Sequence, residues 1–445
     1  MKKLLLLTLV LLGGFSTMFA DDAYIVSGDA AITNENHSWY AEDSDNLLTE
    51  TSTSSGIYML VVEGCELAAN TDYFFKIKEN VNNWDNAFPG SNYKINVPEA
   101  GTYTIIYYVD ITNKAIRVLA KPFLRCNLYD NWNDLHDTSH EFTLGTDGLT
   151  YTYEISSENF SGDTSFRIFS PVFSKSAYPD GQDKALTYGG DAISSAYFNT
   201  AESTDWSWRI AKPTYEFKKA VIKAVYNPFA NDDFGTWTVT ADAYITVSVS
   251  NVGYATFSYA CPLNFTKVTG FEAYVASDIG DDNGSKYVKM NKVTGAVPAE
   301  TGLLLVKEGG CTNVEVPVAA SAVAPTNLLV ATVTEKTVDA SKEGNYHYFL
   351  ASGANGIGFY NLASSATSGA NKAYLSTTTE LTSGSTPSKV AWTFNEDESS
   401  EVDAVNHLKI PFVENNAPMY NLAGQRVNND YKGVVVKNGK KFINK

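Results

Sequence analysis

The sequence predicts an all-β protein, and three observations carry that expectation. Aromatic residues make up 13% of the chain, with 27 Tyr and 23 Phe, a composition that suits pleated, half-buried surfaces better than helical bundles. Segments alternating with period two, rich in β-branched and aromatic residues, recur roughly every 8 to 15 residues between Gly, Asn, Asp and Pro, which is how strands are punctuated. No long stripe of helical period interrupts them. At roughly 100 to 200 residues per domain, the 445 residues allow two to four domains.

Charge and composition exclude several classes. The chain carries 33 basic and 50 acidic residues, a net charge of −17 and a pI near 4.7, so its field repels phosphate and anionic lipid, and nucleic acid is not an expected partner. With 44% hydrophobic and 19% charged residues, the whole is expected to fold rather than stay disordered. Met1 to Ala20 reads as a secretory signal peptide: Lys2 and Lys3, the apolar run Leu4 to Leu12, and Met18-Phe19-Ala20 before Asp21-Asp22. The run is too short to span a bilayer, which takes about 20 residues. With no Cys at the cleavage region, an N-terminal lipid anchor is not expected, and the mature chain is expected to be secreted or on the outer cell surface. Four Cys (Cys65, Cys126, Cys261, Cys311) are too few for a disulfide scaffold. They leave open either a Cys261 to Cys311 bridge or buried free thiols.

The clearest early strands are Gly56 to Val62 (GIYMLVV), Tyr73 to Ile77 (YFFKI), Tyr103 to Val109 (YTIIYYV) and Ala115 to Leu119 (AIRVL). Sliding the sequence by about 90 residues reveals a repeat. Gly56-Ile57-Tyr58 then falls near Gly148 to Tyr151, Phe75-Lys76-Ile77 on Phe166-Arg167-Ile168, and Phe88-Pro89-Gly90 on Tyr178-Pro179-Asp180. Tyr108 to Val118 corresponds to Tyr226 to Val239 after an insertion of about 30 residues that contains Trp206-Ser207-Trp208. Two copies of one sandwich module with a common strand order are expected, at 22–121 and 122–241. A third all-β region, 243–394, opens on Ile245 to Val249 and holds a single Trp, Trp392, against six in the first 240 residues. Asn395 to Asp403 is acidic and polar, so 395–409 reads as a linker. The tail, 410–445, turns basic and reads as a short β-hairpin.

Catalytic signatures are missing from the sequence. The five His show no His-Glu-x-x-His spacing, there is no Cys-x-x-Cys, and no nucleophile elbow, phosphate loop or dinucleotide fingerprint occurs. His136 and His140 stand four apart but in a loop-like context. Asp281-Asp282-Asn283-Gly284 starts like a calcium loop, fails the spacing and reads as a β-turn. A carboxylate pair for glycoside hydrolysis cannot be selected from 50 acids. No metal, cofactor or catalytic residue is therefore expected.

Sugar binding asks for flat aromatic faces and a few fixed polar groups, and the repeated pair supplies both. The candidates are Trp39, Lys76 and Trp84 in the first copy, the last set in Asn82-Asn83-Trp84-Asp85-Asn86. In the second copy they are Trp132, set in Asp130 to Asp134, with Arg167, Tyr178 and Trp206. The competing reading packs these rings into core edges.

Tyr24 to Ala30 (YIVSGDA), the Tyr73 to Ile77 strand, Trp84 to Gly90 (WDNAFPG) and Pro98 to Asp110 (PEAGTYTIIYYVD) resemble the starch-binding modules of Bacteroidetes starch-utilisation outer-membrane proteins. They are similar also to accessory modules of pullulanases. The resemblance implies tandem Ig-like, carbohydrate-binding-type β-sandwiches that hold α-glucan through aromatic platforms and a Lys or Arg, with no enzymatic activity. The third region, through Gly253 to Phe257 (GYATF), Val297 to Leu305 (VPAETGLLL), Asn327-Leu328-Leu329 and Lys372 to Leu375 (KAYL), resembles a recurrent module of secreted proteins of the same phylum. Met419 to Val427 (MYNLAGQRV), Tyr431 to Val436 and Asn438 to Lys441 resemble the C-terminal segments read by type IX secretion machinery, which implies that machinery as a partner. The reading is a secreted or surface carbohydrate-binding protein with polysaccharide, α-glucan first, as its partner. The alternatives are a structural or adhesin-like surface protein, and a secreted glycoside hydrolase.

Overall fold

The computed structural model describes residues 23–34, 39, 46–51, 55–79, 84–171, 173–174, 186–188, 207–210, 212–230, 235–382 and 389–395, and in the tail 419–421, 426–427, 433–437 and 440–444. The fold is all-β. Among the described residues the only helical segments are three-residue 3-10 turns, and no helix is long and apolar enough to cross a membrane.

The first sandwich is built from β1 (Tyr24–Gly28), β2 (Thr49–Glu50), β3 (Ile57–Leu67), β4 (Tyr73–Glu79), β5 (Phe88–Asn96), β6 (Gly101–Asp110) and β7 (Ala115–Ala120). One sheet runs β1-β4-β5 and the other β2-β3-β6-β7. The second sandwich follows with β8 (Phe123–Cys126), β9 (Thr143–Leu144), β10 (Thr150–Ser156), β11 (Thr164–Ser170), β12 (Phe173–Ser174), β13 (Leu186–Tyr188), β14 (Trp208–Ile210), β15 (Lys219–Asn227) and β16 (Thr236–Val249). Here β8 pairs one edge of β11 while β13 and β14 share the other, and the facing sheet runs β9-β10-β15-β16. This is the order of the first sandwich, with β13 and β14 together in the place of β5. The Phe75-Lys76-Ile77 and Phe166-Arg167-Ile168 triplets sit on the equivalent strands β4 and β11.

The two sandwiches are joined along a face. In β6, Tyr103, Ile105, Tyr107 and Val109 enter the first core, while Ile106 and Tyr108 enter the next. Successive residues of a strand point to opposite faces, so a strand buried on both reads as an unbroken apolar run, as Ile105 to Val109 does. Tyr108 Oη lies 2.6 Å from Tyr151 Oη and donates to the Gly148 carbonyl at 2.8 Å. The Tyr226 ring packs edge-on against Tyr108 at 5.3 Å. Around the rim His136 stacks on Tyr103 at 4.0 Å, above Gly101, where a Cβ would come within 2.7 Å of the imidazole. β12 of the second repeat also extends the first sandwich's sheet by pairing β5.

The third region is continuous with the second. β16 is 14 residues long: Thr236 to Tyr244 pair with β15 and Tyr244 to Val249 with β23 (Cys311–Pro317), so the expected boundary between 241 and 243 falls inside one strand. The change in composition there marks a change of partner along a continuous backbone. The remaining strands are β17 (Tyr254–Phe257), β18 (Leu263–Asn264), β19 (Glu272–Asp282), β20 (Ser285–Lys292), β21 (Ala296–Val297), β22 (Leu303–Val306), β24 (Leu329–Thr332), β25 (Lys336–Val338), β26 (Tyr346–Gly353), β27 (Gly356–Asn361), β28 (Ala366–Ser368), β29 (Lys372–Thr377) and β30 (Ala391–Asn395). They form sheets β17-β22-β19-β20-β30 and β24-β29-β26-β27, with the small pairs β18-β21 and β25-β28. β22 repeats the logic of β6: Leu303 and Leu305 face the shared core and Leu304 a separate one.

Asn283 and Gly284 join β19 to β20, both at positive φ, the two-residue type I′ turn that Asn-Gly favours. All four Cys are free, and burial pushes the thiols of Cys65 and Cys261 up, to about 11 and about 12. The tail holds four strands, β31 (Met419–Asn421), β32 (Arg426–Val427), β33 (Gly433–Lys437) and β34 (Lys440–Asn444), in the order β32-β31-β33-β34. It is therefore a four-stranded antiparallel sheet, with β33 returning to the far side of β31, where a single hairpin was expected. The segment read as a signal peptide lies outside the described residues, as does all of the linker but Asn395.

Candidate glycan-binding site

The first candidate site lies on the outer face of the β1-β4 pair. Phe75 and Ile77 point into the core and are fully buried, which turns Lys76 and Lys78 to the opposite face. Trp39 and Trp84 come to this face from the loops after β1 and after β4.

Trp39 is held by a short chain of hydrogen bonds. Its backbone N–H donates to the Gly28 carbonyl at 2.9 Å, and its indole Nε1–H donates to Asp29 Oδ1 at 3.0 Å. Asp29 is itself fixed, because its Oδ2 accepts the Phe74 N–H at 2.8 Å and its own N–H donates to the Phe74 carbonyl at 2.9 Å. Trp39 adopts φ +69°, a left-handed conformation that a bulky residue takes only when its surroundings hold it there. Its ring centroid lies 6.3 Å from that of Trp84, with planes inclined by 32°.

Trp84 is 42% exposed. Lys78, itself only 2% exposed, places its Nζ 4.9 Å from the centroid of the Trp84 ring, within cation–π range. Lys76 donates from Nζ to the Gly90 carbonyl at 2.8 Å, and Asn86 donates from Nδ2 to Glu79 Oε2 at 2.7 Å. Two inclined indoles, one of them exposed, thus stand together with the Lys78 ammonium beside the exposed ring.

In the second copy Trp132 stands in the loop after β8, so it corresponds in topology to Trp39. The loop is organised by Asn131, which is 3% exposed. Its Oδ1 accepts the Cys126 N–H at 2.9 Å, and its Nδ2 donates to the Leu124 carbonyl and to Asp137 Oδ2, each at 2.8 Å. Asp137 Oδ2 also accepts from His140 Nδ1 at 2.5 Å. Burial pushes the Asp137 carboxyl up, but the bonds from Asn131 and His140 outweigh it, and the net shift is downward. His136 and His140 diverge, one onto Tyr103 and the other onto Tyr129 at 4.0 Å. Arg167 lies with Cζ 5.7 Å from the Trp132 ring centroid and donates from Nε to Ser207 Oγ at 3.1 Å.

Of the seven residues singled out in the sequence, Trp39, Lys76 and Trp84 share one face, and Trp132 and Arg167 share the equivalent one. Tyr178 and Trp206 lie outside the described residues. Sequence reasoning missed Asp29, Lys78 and Arg125. Lys78 had a signal, since period two puts it on the same face as Lys76; Arg125 is the residue paired with Arg167 across β8 and β11. Among the described residues no three His, Cys, Asp or Glu side chains are grouped to hold a metal.

No protein-family model matches the sequence, and no curated protein matches it. Among solved structures, a pullulanase from Bacillus acidopullulyticus aligns at 12% identity and a TM-score of 0.18, over 49% of this chain and 28% of that one. The alignment thus spans little more than a quarter of the pullulanase.

Proposed function

We propose that this is an exported, non-catalytic glycan-binding protein, secreted or displayed on the cell surface, whose first sandwich holds α-glucan on the Trp39 and Trp84 rings. The observation that carries the reading is the pair itself: an open indole beside a second one locked at positive φ by Asp29. Pyranose rings present apolar C–H faces to aromatic planes and hydroxyls to polar neighbours at the rim. A glucan that curves from residue to residue meets two planes inclined by 32° better than one flat plane. Lys76 and Asn86 would offer polar groups to its hydroxyls, and the buried Lys78 would hold the Trp84 ring from behind. Affinity at one such site is weak, roughly micromolar to millimolar, and a second module on the same chain raises retention on a polymer. In the same reading the basic tail serves as the export or attachment segment and engages the secretion machinery.

Native electrophoresis through gels containing amylopectin tests this. Retardation that Trp84→Ala abolishes, with no retardation in hydroxyethyl cellulose, is the expected result. Equal mobility of the wild-type protein with and without amylopectin overturns the reading.

A further inference from the structure

The repeat allows the two outer faces to be compared residue by residue. Ser27 faces Lys76 across β1 and β4, and Ile25 faces Lys78. At the equivalent positions Arg125 faces Arg167 across β8 and β11, and Phe123 faces Phe169. Arg125 therefore stands in the place of Ser27, and Phe169 in the place of Lys78. The first face pairs a hydroxyl with an amine; the second pairs two guanidinium groups.

That pairing is unfavourable in isolation, because like charges directly opposite on neighbouring strands repel. Arg125 is also 9% exposed. Its guanidinium lies 3.4 Å from the Phe169 ring centroid and 5.7 Å from that of Phe123. It donates from Nη2 to the backbone carbonyl of Asp134, while its Nε has no partner among the described residues. Burial, with a smaller contribution from Arg167, lowers its pKa to about 10 against the field of the Asp134 carboxylate. Asp134 itself is exposed and meets Arg125 through its carbonyl. A cation this buried ordinarily sits against an anion, and the guanidinium fork matches the oxyanions of carboxylates and sulfates.

We propose that the second sandwich binds an acidic sugar, its carboxylate or sulfate ester held by Arg125 and Arg167 and its ring resting on Trp132. The inference rests on the sugar-binding reading of Trp132 and adds to it a requirement for negative charge that the first sandwich does not have. The net charge of −17 disfavours a densely charged polymer, but its field is screened beyond about 8 Å at physiological salt. Glycans with acidic residues spaced among neutral ones fit this balance.

The experiment is calorimetric titration of the full exported chain carrying Trp84→Ala, which silences the first face, with an oligogalacturonide, a sulfated malto-oligosaccharide, neutral maltoheptaose and sodium sulfate. One of the two acidic sugars is expected to bind about tenfold tighter than maltoheptaose, to weaken as NaCl is raised, and to lose about tenfold in affinity in Arg125→Gln. Which acidic sugar binds identifies the oxyanion. Equal affinity for acidic and neutral sugars, salt-independent binding, or sodium sulfate binding as tightly as the sulfated sugar overturns the proposal. If Arg125→Gln fails to fold, Arg167→Gln and the salt series decide it. Acidic binding here with no neutral binding by the wild-type chain removes the α-glucan reading and leaves this one standing; neutral binding at both faces, insensitive to Arg125→Gln, does the reverse.

Discussion

The two sandwiches have one strand order and two different outer faces. Inward positions are nearly interchangeable: Phe75 and Ile77 on β4 answer to Phe166 and Ile168 on β11, and all four are fully buried. Outward positions have diverged, with Ser27, Lys76 and Lys78 on one face and Arg125, Arg167 and Phe169 on the other. Core packing constrains alternate residues of a strand and leaves the rest free, so a repeated scaffold keeps its fold while its surface chemistry drifts. The loops diverged too, since the first holds Trp39 through Asp29 and the second organises Trp132 through Asn131.

Tyr108 joins the cores behind the two faces and is where they can be uncoupled. It is fully buried in the core shared by the sandwiches, and Tyr108→Ala is expected to cost about 3–5 kcal/mol and to split a common denaturant transition of the two into separate ones. Tyr108→Phe, which removes only the bonds to Tyr151 and Gly148, is expected to cost about 1 kcal/mol. Denaturant curves on both variants check this.

Asp29 sharpens the contrast between the loops. Asp29→Ala removes a carboxylate that accepts from both Phe74 and Trp39, with an expected loss of about 2 kcal/mol. Glucan binding by the first face should fall with it, while acidic-sugar binding by the second is unchanged. Loss at both faces would mean that the loop acts on the whole molecule.

Asp137 gives the smaller effect and a pH signature. Its folded-state pKa is depressed, so its stabilisation is complete above the unfolded value near about 4 and is lost as pH falls through the folded one. Asp137→Asn is expected to cost about 1 kcal/mol at neutral pH, and the difference from wild type should shrink steadily below pH of about 4. Thermal melts of both proteins across that range provide the measurement, and a difference that persists undiminished would assign the role of Asp137 to shape alone.

Much of this fold was legible because period-two apolar patterning is dictated by the pleat. The β4 and β11 triplets exposed the repeat, and Tyr103 to Val109 was readable as a strand, whereas its burial on both faces appears only in the structure. The continuity of β16 was not legible, since nothing in the composition at Ala241 to Ala243 distinguishes a strand that changes partners from a boundary between domains. At the site, Trp39, Lys76 and Trp84 were readable as residue types suited to sugars. Lys78 was passed over for Lys76, because both face outward and only the path of the loop after β4 decides which ammonium meets Trp84. Asp29 and Arg125 act through positions set by loop closure and strand register, which a single sequence does not reveal.

In the proposed function Trp84 and Trp39 form a platform for sugar and are not core packing. Calorimetric titration of maltoheptaose into wild type and Trp84→Ala tests it most directly, with thermal melts alongside. Trp84 is 42% exposed, so the variant is expected to keep its stability within about 0.5 kcal/mol. It should lose at most about 1–3 kcal/mol of binding, the range for nucleic-acid bases stacked on aromatic side chains, which a sugar face should not exceed. A variant that melts several degrees lower yet binds maltoheptaose as wild type does would contradict the account and return the ring to the core.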